Sequence, residues 1–115
     1  MEEKGMKEKE IERYLVDRVA AMGGMAFKFV SPGCTGAPDR LVVLPEGKVG
    51  FLELKAPGMK PRKEQVHRIR QLWALGCCAD VADSREAVDL YLAGLSTGVP
   101  VPARMPRMLE TEARR

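Results

Sequence analysis

The sequence predicts an α/β (α+β) domain in which helices flank a small mixed four-stranded sheet, in the order αβββαβα. Three observations carry this. An apolar stripe at helical spacing opens the chain, and three short strand-like runs follow it. A basic helical segment then separates those runs from a fourth, buried one. At 115 residues the chain suits one core rather than two. It divides into a domain over residues 1–95 and a C-terminal tail over 96–115, expected to be disordered or ordered by a partner.

Each element has its own warrant. Residues 5–22 are predicted to be a helix because Ile11, Leu15, Val19 and Met22 recur at spacings of four and three; Gly23 and Gly24 end it. Met25 to Val30 reads as a strand, and SPGCTGAP as a loop. Leu41 to Leu44 and Val49 to Leu52 are two strands joined by a tight hairpin. Pro45 suits the second position of a type I turn there, and Gly47 the left-handed position that closes it. Pro61 suits the first turn of a helix over 62–75, with Val66, Ile69, Leu72, Trp73 and Leu75 at helical spacing. Cys77 to Ala82 is a short buried strand. Ser84 is a candidate N-cap for a helix from Arg85 to Ala93. The last strand follows a helical crossover, so it can run parallel to a strand already in the sheet.

Composition excludes several classes. No apolar run approaches the ~20 residues of a membrane span. The charged start, MEEKGMKEKE, is not a secretory signal, so a cytoplasmic protein is expected. Three cysteines without CxxC spacing and a single histidine argue against a disulfide framework and a zinc site. The net charge is +3, but five basic residues and one glutamate between Lys60 and Arg70 concentrate +4 in one segment. Such clustering suits phosphate binding or a solvated helix face equally.

The hairpin carries the chemistry. If Pro45 to Gly47 is the loop, Leu44 pairs with Lys48. Counting outward then sets Asp39 opposite Glu53, give or take one residue for a bulge. Strand alternation puts Lys55 on the same face as Glu53. Two facing carboxylates repel, and a cation relieves them: Lys55, or a bound divalent metal. Carboxylates are the ligands Mg²⁺ prefers, often only one or two beside a substrate phosphate. A lysine at such a site can orient the attacking water or balance charge in the transition state.

Pro38-Asp39, about a dozen residues, and then Glu53-Leu54-Lys55 form the order that marks PD-(D/E)xK nucleases. The strings GAPDRLVV, FLELKAPG and LWALG, with Gln65 after a basic stretch, resemble the VRR-NUC (virus-type replication-repair nuclease) domain in its stand-alone phage and bacterial form. The resemblance spans about residues 8 to 92. It implies a restriction-endonuclease-like core and a DNA endonuclease that uses Mg²⁺ or Mn²⁺. It further implies structure-selective action on four-way junctions in replication, repair or recombination, and a homodimer. It makes Asp39, Glu53 and Lys55 catalytic, with Asp39, Glu53 and the Leu54 carbonyl on the metal. A third acid on the first helix is implied as well: Glu12, with Glu8 one turn earlier as the alternative. Gln65 would bond near the metal or DNA. Lys28, Arg40, Lys60, Arg62, Lys63 and Arg68 are candidate DNA contacts.

Overall fold

The computed structural model describes residues 7–98. Helix α1 (Glu8–Ala21) buries Ile11, Leu15 and Val19, the stripe expected from the sequence; residues 5 and 6 lie outside the described residues. Strand β1 (Met25–Lys28) is followed by a long loop, then β2 (Arg40–Leu44) and β3 (Lys48–Leu54). Helix α2 (Lys63–Ala74) leads to β4 (Cys78–Ala82), and α3 (Arg85–Thr97) closes the described chain. The sheet order is β1-β2-β3-β4. The first two pairings are antiparallel and the last is parallel, as expected for a strand that returns after a helix.

The hairpin register matches the sequence count: Leu44 pairs with Lys48, and Arg40 with Leu52. The turn itself differs. Glu46 sits at φ 71°, ψ 25°, close to the third-position values of a type II turn, where a type I turn would hold φ near −90°. Gly47 is left-handed too, at φ 72°. Two consecutive left-handed residues close the loop, and only one of them is glycine.

Strand alternation divides the molecule into layers. Val42, Leu44, Leu52, Leu54, Cys78 and Ala82 face α1 and α3 and form the larger core with Ile11, Leu15, Val88, Tyr91 and Leu92. On the other face α2 packs Ile69 against Ala79 and Val81, with Phe51 beside them. Gly50 permits the closest approach: a Cβ there would lie 2.2 Å from the Tyr91 hydroxyl and 3.0 Å from the Cys78 carbonyl oxygen.

Ser84 caps α3, its Oγ accepting from the Ala87 amide at 3.1 Å. This helix runs past the expected end at Ala93. Leu95 still points into the core, and the left-handed Gly98 (φ 72°) supplies the stop. The expected tail therefore begins inside a helix at Ser96 and Thr97. Residues 99–115 lie outside the described residues. Among the described residues, no helix is long and apolar enough to cross a membrane.

Candidate active site

Continuing the β2–β3 register by one step sets Asp39 across from Glu53, and the hydrogen bonds agree. The Asp39 amide donates to Glu53 Oε1 at 3.2 Å, and the Leu54 amide donates to Asp39 Oδ1 at 3.2 Å. Each acid is thus held by a backbone amide of the opposite strand. Buried Pro38 anchors the approach to Asp39. Glu53 is 6% exposed, and its Oε2 accepts from Gln65 Nε2 at 2.8 Å. Lys55 Nζ lies 3.7 Å from that same oxygen. Gln65 is fixed in turn, because its Oε1 accepts from the Arg62 amide at 2.8 Å. Asp39, Glu53, Lys55 and Gln65 therefore share the α2 side of the sheet.

Burial leaves negative charge poorly balanced here. Loss of water raises the Glu53 carboxyl to about 7, the Asp39 charge adds to the rise, and Lys55 offsets only part of it. Asp39 is also raised, first by burial; the Leu54 amide and Arg40 pull the other way. Two hard carboxylates that remain short of positive charge form a donor set suited to a divalent cation of the Mg²⁺ type. Among the described residues, no three His, Cys, Asp or Glu side chains form a ready-made metal cage. The fit is to an ion held by few protein ligands.

The loop between β1 and β2 is clamped to α2. Arg68 donates from Nε and Nη2 to the Thr35 carbonyl at 3.2 and 3.1 Å. Gly36, at φ 86°, packs so closely that a Cβ would lie 2.4 Å from the Glu64 carbonyl oxygen. This clamp ties the segment carrying Asp39 to the helix carrying Gln65.

Several expected roles change. Arg40, expected as a DNA contact, is 5% exposed and paired with Glu12 on the α1 side of the sheet. A surface role is excluded because residue 40 shares the parity of Val42 and Leu44, which face the core. Lys28 is exposed but pairs in register with Arg40, so it lies on that same side, away from the acids. Arg68 spends its guanidinium on Thr35 and Gln71. Lys60, Arg62 and Lys63 are exposed at the start of α2, next to Gln65. Leu54 meets the site through its amide, while its side chain is buried in the core. Glu12 lies near enough to Asp39 for its charge to be felt there, and Glu8 stands in the same relation to Glu53.

A mixed sheet that carries Pro-Asp and Glu-x-Lys on paired strands, beside a helix whose Gln65 holds the glutamate, defines a nuclease of the PD-(D/E)xK class. No protein-family model matches the chain. A "Putative nuclease p44" of Acyrthosiphon pisum secondary endosymbiont phage 1 is 51% identical over 81 residues, covering 70% of this chain and 87% of the relative. A solved structure described as a VRR_NUC domain aligns with a TM-score of 0.71 and 32% identity, covering 77% of this chain and 97% of that one. The chain belongs to the VRR-NUC family of nucleases.

Proposed function

We propose that this nuclease is a DNA endonuclease that requires Mg²⁺ or Mn²⁺, cuts branched DNA such as four-way junctions, and works as a homodimer in the cytoplasm of a bacterial or phage-infected cell. The observation that carries this reading is the pair of buried Glu53 and half-buried Asp39 with Lys55 and Gln65 on one sheet face, at the foot of a basic helix start. Asp39 and Glu53 would hold the ion, together with the Leu54 carbonyl and Glu12. When bound, the ion polarises a phosphoryl oxygen and lowers the pKa of its water.

The chain's own residues do the rest. Gln65 keeps Glu53 in one orientation, so its lone pairs stay aimed without side-chain reorganisation. Lys55 offers Nζ donors to a water or phosphate oxygen beside Glu53, orienting the nucleophile and compensating charge in the transition state. Lys60, Arg62 and Lys63 hold flanking phosphates.

Dimerisation has a candidate surface. Toward β1, α2 leaves the sheet open, and the cross-strand row Met25, Val43 and Val49 lies there. Met25 is 58% exposed, Val49 46% and neighbouring Phe27 43%. A second copy packed on this face would bury that apolar patch and set two sites in two-fold relation, matching the symmetry of a four-way junction.

The test is cleavage of labelled junction, flap, linear duplex and single-stranded DNA with Mg²⁺, Mn²⁺ or EDTA, run beside light scattering. Metal-dependent cutting of the junction by a dimer, lost in Asp39→Asn and Lys55→Ala, is expected. Tight binding without cutting of any substrate would make the chain a DNA-binding module instead. Cutting that survives both substitutions would overturn the site.

A further inference from the structure

We propose that the exposed flank of α2 bearing Lys63, His67 and Arg70 is a track for the phosphate backbone of one DNA strand, leading away from the Asp39–Glu53 site. The inference rests on the nuclease reading of that site for the identity of the polymer bound.

The three residues recur at spacings of four and three, so they share one face of the helix, and all are exposed. From Lys63 to Arg70 the helix rises about 10 Å, the axial rise of about three nucleotides of one strand. The row starts at the site: Lys63 stands two residues before Gln65, whose amide holds Glu53. It also keeps clear of the β1–β2 loop. Arg68 and the Glu64 carbonyl face that loop at Thr35 and Gly36. Arg70 lies roughly 200° around the helix from Arg68. Glu64 is the one carboxylate between Lys60 and Arg70, and its Cβ is on the loop flank, so the row carries no negative charge.

Helix stability does not account for these charges. A helix dipole favours anions at its start and cations at its end. In α2 the order is reversed: Arg62 and Lys63 stand at the start, and the last turn has no basic residue. Nor are the row's side chains held by partners. Among the described residues, those of Lys63, His67 and Arg70 make no hydrogen bond or ion pair. Arg18, Arg68 and Arg85, also on helix surfaces, are each engaged, with Asp89, Thr35 and the Tyr14 ring. A row of uncommitted donors matches a repeating anion, since ammonium, guanidinium and imidazole N–H groups all donate to phosphate oxygens. Contacts of this kind fix the path of a strand and carry no sequence information.

The test is fluorescence anisotropy of a fluorescein-labelled duplex titrated with the full chain in EDTA, which reads binding without metal-dependent cleavage. Arg70→Ala should weaken binding roughly fivefold at physiological salt and reduce the slope of log affinity against log salt by about 0.9, the value of one phosphate contact. His67→Ala should weaken it about twofold or more, as for one lost hydrogen bond. Ala74→Lys extends the row by one turn at an exposed position and should tighten binding about fivefold. Ala93→Lys adds the same charge on the exposed side of α3, across the sheet, and should leave affinity unchanged. Each effect should be equal on two duplexes of unrelated sequence. Unchanged affinity in Arg70→Ala, or equal gains from Ala74→Lys and Ala93→Lys, would overturn the inference. If Arg70→Ala does not fold by circular dichroism, Arg70→Gln takes its place and is judged by the same outcomes. Cleavage in Mn²⁺ separates the two levels. If the wild type cuts DNA and Arg70→Ala binds as tightly as it does, only the inference fails. If the row variants behave as expected but the wild type cuts no DNA, the track stands and the nuclease reading fails. If the wild type binds no DNA, both fail.

Discussion

Glu53→Gln should stabilise the metal-free protein at alkaline pH while abolishing its activity. Folding raises the Glu53 carboxyl from 4.5 to about 7, chiefly through burial. A carboxyl raised in the folded state binds a proton more tightly there than in the unfolded chain. Its stabilising contribution is therefore complete below about pH 4.5 and is lost as pH rises through 7. At roughly 1.4 kcal/mol per unit, the penalty at pH 8 is about 3 kcal/mol. The glutamine variant carries no charge at this position at any pH and escapes the penalty. Urea unfolding in EDTA at pH 5 and pH 8 measures the difference. The variant should exceed the wild type by under about 1 kcal/mol at pH 5 and by about 3 kcal/mol at pH 8. Mg²⁺ at pH 8 should stabilise the wild type and not the variant, because a ligand stabilises only the state that binds it. A difference that stays constant or shrinks as pH rises would refute the reasoning.

Replacing Lys60, Arg62 and Lys63 together by Ala should weaken DNA binding and flatten its dependence on log salt by roughly 1 for each phosphate no longer neutralised, measured by fluorescence anisotropy. Gly50→Ala should cost about 1–3 kcal/mol in thermal unfolding, since its Cβ would collide with the Tyr91 hydroxyl and crowd the Cys78 carbonyl. Phe27→Lys should leave the proposed dimer monomeric in sedimentation, with the fold preserved because the residue is 43% exposed on an edge strand.

Much of this site was legible because it lies within one hairpin. A short turn fixes register, register fixes which residues face each other, and alternation assigns their side, so Asp39, Glu53 and Lys55 could be placed by counting. The same alternation also carried the true placement of Arg40, two positions before Val42 on the core side. Its charge drew it toward a phosphate role, although strand parity pointed the other way. Contacts that cross elements left no local signal. Neither the Arg68 clamp on Thr35 nor the seat of Gln65 against Glu53 follows from any periodicity, because both depend on how α2 docks. The end of α3 was readable in part. Gly98 and the following Pro100 mark a stop, but Gly94 sits nearer and hid it. The left-handed Glu46 had no signal, since glutamate rarely takes that conformation.

The central claim is that Asp39 and Glu53 form a divalent-metal site. Crystals soaked in Mn²⁺ and measured at a wavelength where manganese scatters anomalously test it most directly. The account predicts an anomalous peak within bonding distance of the Asp39 and Glu53 carboxylates, absent in Asp39→Asn. A peak elsewhere with none between these two acids, or a peak unmoved by Asp39→Asn, would contradict it.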